Sequence, residues 1–62
     1  MMEDLNEIMW NGDIGLGVWS GYVEGRGFKN VYYIYKNGYW HEIPVSSEQE
    51  AIYYFNNEID KN

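Results

Sequence analysis

Cysteine is absent from this 62-residue chain, which excludes both disulfide bridges and thiolate metal sites. Histidine occurs once, at His41, so no His-rich metal site can be assembled. Proline also occurs once, at Pro44, where it closes the last apolar stretch that reads as a strand. Positive charge is scarce: four Lys and Arg stand against ten Asp and Glu, a net charge of −6. A surface of that sign repels nucleic acid and anionic membrane, which are both bound through Lys and Arg that neutralise phosphates. No apolar run reaches the roughly 18 residues of a membrane span. The start, Met1-Met2-Glu3-Asp4, lacks the basic and apolar segments of a secretion signal. These absences lead to the expectation of a cytoplasmic protein with no cofactor, no direct nucleic-acid contact and no membrane contact. They leave a protein partner with a basic surface as the favoured kind.

What the chain does have is rings: three Trp, seven Tyr and two Phe. A chain this short forms one domain, expected over residues 1–62, and buries only about 60% of the surface its unfolded form exposes. Large rings bury much area at modest entropy cost, so a dense aromatic core, a partner, or both must supply the stability.

Four segments are legible along the chain. Over residues 3–10, Leu5, Ile8 and Met9 recur at helical spacing, with Glu3 and Asp4 where a helix start prefers negative charge. Asn11-Gly12 then stops it, which predicts a short N-terminal helix. Over residues 14–24 the period becomes two, with Gly15, Gly17 and Gly21 on one side of a long strand. Gly25-Arg26-Gly27 turns the chain into a second strand over residues 28–36. Asn37-Gly38 is a strong hairpin signal, and the return strand runs over residues 39–43. Ser47 with Glu50 forms a capping box that opens a C-terminal helix reaching Glu58 or Asp60, with Ala51, Ile52, Phe55 and Ile59 on one stripe. The expected fold is α+β: a three-stranded antiparallel sheet packed by a C-terminal helix, with a short N-terminal helix.

Centring the second hairpin on Asn37-Gly38 pairs Tyr35 with Trp40, Ile34 with His41, Tyr33 with Glu42 and Tyr32 with Ile43. Centring the first on Gly25-Arg26 pairs Trp19 with Tyr32 and Val18 with Tyr33. One face would then hold Leu16, Val18, Tyr33, Tyr35 and Trp40, and the other Gly17, Trp19, Tyr32, Ile34, His41 and Ile43. Short helices cover only one face, so an aromatic face is left over, and such patches mark interaction sites.

Catalytic motifs fare poorly. The run Gly12-Asp13-Ile14-Gly15-Leu16-Gly17 lacks the spacing and the βαβ setting of a phosphate loop. His41 and Glu42 are strand neighbours and point to opposite faces, so they cannot share an acid–base site. Ser20, Ser46 and Ser47 lack a base and an orienting group, and Asn11 and Asp13 are not continued as a calcium loop. The chain reads as a binding protein and not an enzyme. Stacking of single-stranded bases on the strand rings would need a basic groove, where only Arg26, Lys29 and Lys36 are near. The element order is similar to that of double-stranded-RNA-binding domains, yet Glu48 and Glu50 stand where those carry lysines.

From Gly17 onward, Gly25-Arg26-Gly27 precedes a tyrosine-rich strand, Lys36-Asn37-Gly38 follows it, and a capped helix ends the chain. In this the chain resembles the small acidic uracil-DNA glycosylase inhibitors of some bacteriophages, and equally other phage-encoded anti-restriction and anti-CRISPR inhibitors. The resemblance implies a homodimer that occupies an enzyme's DNA-binding cleft, with an aromatic side chain near the third strand plugging an apolar pocket. By position, Tyr39, Trp40 and Glu42 would take those parts, and Tyr33, Tyr35 and Trp19 complete the expected partner-binding set. Glu3, Asp4, Glu7, Glu42, Glu48, Glu50 and Glu58 would imitate a phosphate backbone. The functional expectation is a DNA-mimic-like inhibitor of a nucleic-acid-processing enzyme. The alternative is a homo-oligomeric assembly protein that uses the aromatic face as a subunit interface.

Overall fold

The computed structural model describes residues 4–61 and contains four strands followed by one helix. Strands β1 (Leu5–Asn11), β2 (Ile14–Val23), β3 (Gly27–Lys36) and β4 (Tyr39–Glu42) form an antiparallel meander in chain order. Helix α1 (Glu48–Asp60) packs on one face of β2 and β3. The α+β class, the antiparallel sheet and the C-terminal helix are as the sequence predicts. No helix among the described residues is long and apolar enough to cross a membrane.

The predicted N-terminal helix is a strand. Glu3 lies outside the described residues, but Leu5–Asn11 pairs with β2 from Leu5 opposite Trp19 to Asn11 opposite Ile14. The register shifts between Glu7 and Met9, leaving Ile8 without a partner across the ladder, a β-bulge. The extra residue breaks the strand's period of two. Glu7 and Trp10 come to share the face that Leu5 also covers, and Ile8 packs on the core, so the apolar residues whose spacing resembles a helical stripe in fact serve two sides of a strand. Asn11-Gly12 does not cap a helix. Gly12 and Asp13 instead form a two-residue hairpin loop, and the sheet gains a fourth strand.

The β2–β3 register also differs from the predicted one. Asn37 and Gly38 have φ of 54° and 96°, the paired positive values of a type I′ turn, and the β3–β4 pairs fall as predicted. The β2–β3 connection, however, is a three-residue loop, Glu24-Gly25-Arg26, and not a two-residue turn on Gly25-Arg26. The Arg26 amide donates to the Val23 carbonyl at 2.9 Å, and Gly25 takes φ of 84° at the position where a type II turn needs it. Val18 therefore faces Tyr32, and Trp19 faces Val31. A slip of one residue exchanges faces. The true covered face carries Leu16, Val18, Tyr32, Ile34 and Ile43, and Tyr33, Tyr35 and Trp40 join Trp19 on the open one.

The core lies between the covered face and α1. Leu16, Tyr32, Ile34, Ile43, Ala51 and Phe55 are buried, with Ile8, Ile14, Val18, Val45, Ile52, Tyr54 and Ile59 against them. The helix start is capped as its sequence predicts: the Ser47 hydroxyl accepts from the Glu50 amide at 3.2 Å. The Glu50 carboxylate reaches back one residue further, to the Ser46 amide and hydroxyl, both at 2.9 Å. Those bonds, the backbone one foremost, hold the Glu50 carboxyl below its ordinary range.

Glu58 is the one buried charged side chain among the described residues. It ties the end of α1 to the sheet, accepting from Lys36 Nζ at 2.9 Å and from Lys61 Nζ at 3.2 Å. The Lys36 hydrogen bond outweighs the desolvation cost and lowers the Glu58 pKa. A depressed carboxyl contributes stability above its unfolded pKa and loses it as pH falls through the folded value. Glu58→Gln should therefore cost about 1–2 kcal/mol at neutral pH, the low end because Lys36 is partly solvated. In urea unfolding, the gap between wild type and variant should close as pH drops below about 4. A gap that does not narrow as pH falls would contradict this role for the pair.

Candidate protein-binding face

The sheet face opposite α1 has no secondary-structure element over it among the described residues, and its own side chains partly cover it. The cause lies in β2, whose glycines Gly15, Gly17 and Gly21 all point there. Each bare position is filled by a neighbour. The Trp10 indole lies over Gly15, so close that a Cβ on Gly15 would sit 2.7 Å from the ring. Leu5 covers Gly17, with side-chain atoms 3.2 Å from where a Cβ would stand, and the Trp19 ring folds over Gly21. The glycines serve as sockets for apolar side chains, which answers why a strand tolerates three of them on one side.

Around Gly15 the rings form a cluster. Trp10 meets Tyr35 at 5.4 Å and Trp40 at 5.8 Å, and Tyr35 meets Trp40 at 5.2 Å. The interplanar angles of 58°, 68° and 67° are the tilted and edge-on geometries that ring quadrupoles favour. Trp10 Nε1 donates to Glu7 Oε1 at 3.0 Å, which fixes the indole and sets a carboxylate at the cluster's edge. Glu42 stands across the β3–β4 ladder from Tyr33. Burial, and then the Glu42 charge, push the Tyr33 hydroxyl above its ordinary pKa. The result is an aromatic surface with carboxylates at two of its margins.

Five of the six predicted site residues, Trp19, Tyr33, Tyr35, Trp40 and Glu42, share this face. Tyr39 does not. It pairs with Lys36, whose amine reaches α1, so it lies on the helix side, exposed, with its ring 4.8 Å from that of His41. Trp10, Glu7 and Leu5 belong to the face and were hidden by the expected helix. The signal that could have found them is the strand-facing glycine row, which asks for rings on a neighbouring strand.

Among the described residues, His41 and Glu42 are kept apart. His41 lies on the covered side with its Nε2 3.3 Å from the Lys36 carbonyl oxygen, and Glu42 points the other way. No group of three His, Cys, Asp or Glu side chains able to hold a metal occurs among the described residues. A hollow on the helix side, between the β1–β2 and β3–β4 turns and the end of α1, is lined by Lys36 and Lys61. Both of those amines are engaged by Glu58.

The socket geometry makes a prediction against the usual rule that replacing a strand glycine stabilises. Gly15→Ala should destabilise the fold by about 1–3 kcal/mol, because the added methyl must lift the Trp10 indole out of its ring cluster. Urea denaturation followed by near-UV circular dichroism reads both the stability and the ring packing. A Gly15→Ala protein as stable as wild type, with unchanged aromatic dichroism, would contradict the packing of Trp10 on Gly15. Comparison with protein-family models, with curated proteins and with solved structures finds no match to this chain.

Proposed function

We propose that this chain is a protein-binding inhibitor that acts in the cytoplasm and docks through its open sheet face onto a basic surface. The target class we favour is a nucleic-acid-processing enzyme, such as a uracil-DNA glycosylase or a host defence nuclease, blocked sterically at the surface that receives DNA. The observation that carries this reading is the cluster of Trp10, Tyr35 and Trp40 beside Glu7, on the one sheet face that α1 leaves uncovered. Trp and Tyr are the most frequent binding hot spots, and rings already locked against each other lose little entropy on docking. The net charge of −6 steers the chain toward a cationic cleft at a salt-dependent rate. The resemblance to phage inhibitors points to the same class.

The competing reading, an assembly protein whose rings form an obligate subunit interface, is less well supported. Trp19, Tyr33, Tyr35 and Trp40 are already half-buried within one copy, and Trp10 is 44% exposed. Such a face can stand in water between encounters, as a docking face must and an obligate interface need not.

The test is to add purified protein to a panel of DNA glycosylases and nucleases at low and at high salt. The expected result is inhibition of at least one, weakening as salt rises. For that target Trp40→Ala should weaken inhibition about 30-fold, a loss of about 2 kcal/mol. Glu42→Lys should slow association and flatten its salt dependence. Full activity of every enzyme at low salt would overturn the inhibitor reading for the panel.

A further inference from the structure

The dipeptide Asn-Gly occurs twice in the chain, at Asn11-Gly12 and at Asn37-Gly38, and each copy lies at a hairpin turn. Both turns stand at the same end of the sheet, and both asparagines line the hollow that Lys36 and Lys61 also border. Asparagine is among the side chains that decay chemically, and a following glycine favours the reaction most. With no side chain in the way, the glycine amide nitrogen can reach the carboxamide carbon before it. Both asparagines are exposed. The ladder bonds at each turn belong to the flanking pairs, Asn11 with Ile14 and Lys36 with Tyr39, so the Gly12 and Gly38 amides stand outside the ladder. By sequence the two sites are equal. The folded backbone makes them unequal.

Attack requires rotation about the asparagine Cα–C bond until the next amide nitrogen eclipses Cβ. Asn37 has φ of 54°, the left-handed conformation that the first position of its type I′ turn demands. In that conformation the following amide is anti to Cβ, as far from the carboxamide as the bond allows. Reaching it means abandoning the turn that sets the β3–β4 register. Asn11 is under no such demand. Its loop places the positive φ, 60°, on Gly12, and Asn11 itself is the last residue of β1, in extended backbone. From there the amide reaches the carboxamide by a shorter rotation, and only the loop-closing pair with Ile14 must open.

We propose that Asn11 is a self-modification site, converted through attack by the Gly12 amide, and that the fold protects Asn37. The Gly12 nitrogen bonds to Asn11 Cγ, and its proton passes through solvent to the leaving amino group, which departs as ammonia. The product is a succinimide. Water then opens that ring at one of its two carbonyls, leaving either an aspartate or an isoaspartate at position 11. Both carry a new negative charge into the hollow where Glu58 holds Lys36 and Lys61. The isoaspartate also routes the main chain through the former side chain, which lengthens it by one methylene. That extra length falls between Trp10 and the Gly12-Asp13 turn that sets the indole over Gly15. The ring cluster is thereby displaced, irreversibly and with water as the only reagent. The reaction needs no partner, so it is independent of the inhibitor reading.

Incubation of the native chain at mildly alkaline pH, sampled by fragment mass spectrometry and by labelling with an isoaspartate carboxyl methyltransferase, tests the proposal. The acid should appear at Asn11 while Asn37 is still intact. In denaturing urea, where the turn is gone, the two sites should convert at similar rates. Near-UV circular dichroism of the native sample should fall as isoaspartate accumulates. Asn11→Gln, whose longer side chain closes a ring far more slowly, should stay unlabelled at that position and keep its aromatic dichroism over the same period. Native conversion of Asn37 first, or of both sites together, would overturn the proposal. So would an Asn11 that survives in the native chain for as long as the denatured chain takes to lose it several times over. Aromatic dichroism unchanged in chains carrying the isoaspartate would overturn its link to the ring cluster.

Discussion

A chain of this size has one helix to spend on a sheet with two faces, and the structure follows from how the second face is kept from water. The helix seals Leu16, Ile34 and Phe55 on one side. On the other, the glycine row of β2 lets rings lie down against the backbone, where side chains on β2 would have held them upright. The Gly12-Asp13 turn sets Trp10 opposite Gly15, and the bulge at Ile8 brings Glu7 and Leu5 round to the same face. Bulge, glycine row and ring cluster are one device. Removing any part of it leaves either a hole over the strand or an indole in solvent.

That device also shapes the functional reading. Rings that pack on each other and on glycine backbone are ordered before a partner arrives, so docking forfeits little further freedom. A face made this way is ordered and ring-rich without being an unfinished core. The carboxylates of Glu7 and Glu42 sit at its margins, where charge governs encounter rate and partner choice more than final affinity. Two of the four basic residues, Lys36 and Lys61, are held away from it by Glu58.

How much of this could be read from the residues depended on whether a local signal had one meaning. Asn37-Gly38 admits a single tight turn, so the β3–β4 register came out to the residue. Ser47 with Glu50 fixed the start of α1 for the same reason, and the stripe of Ala51 and Phe55 named its buried side. Gly25-Arg26-Gly27 offered two glycines that take positive φ, and a loop of two or of three residues suits such a run. The choice of two moved Tyr33, Tyr35 and Trp40 onto the face opposite Trp19. The N-terminal segment was ambiguous for a deeper reason: a bulged strand and a short helix both place apolar residues three apart. That hid Trp10, the centre of the ring cluster, whereas Tyr39 entered the expected site through the family resemblance, although as a strand neighbour of Trp40 it points to the other face.

Proton NMR of Gly15 and Gly21 measures the central claim, that indole rings lie flat on the open face of β2, most directly. Protons stacked under an aromatic ring resonate well upfield of those in an ordinary strand. The account predicts that the α-protons of both glycines are strongly shifted upfield, and that Trp10→Leu returns Gly15 alone to the usual range. Unshifted glycine protons in the folded wild type would contradict it.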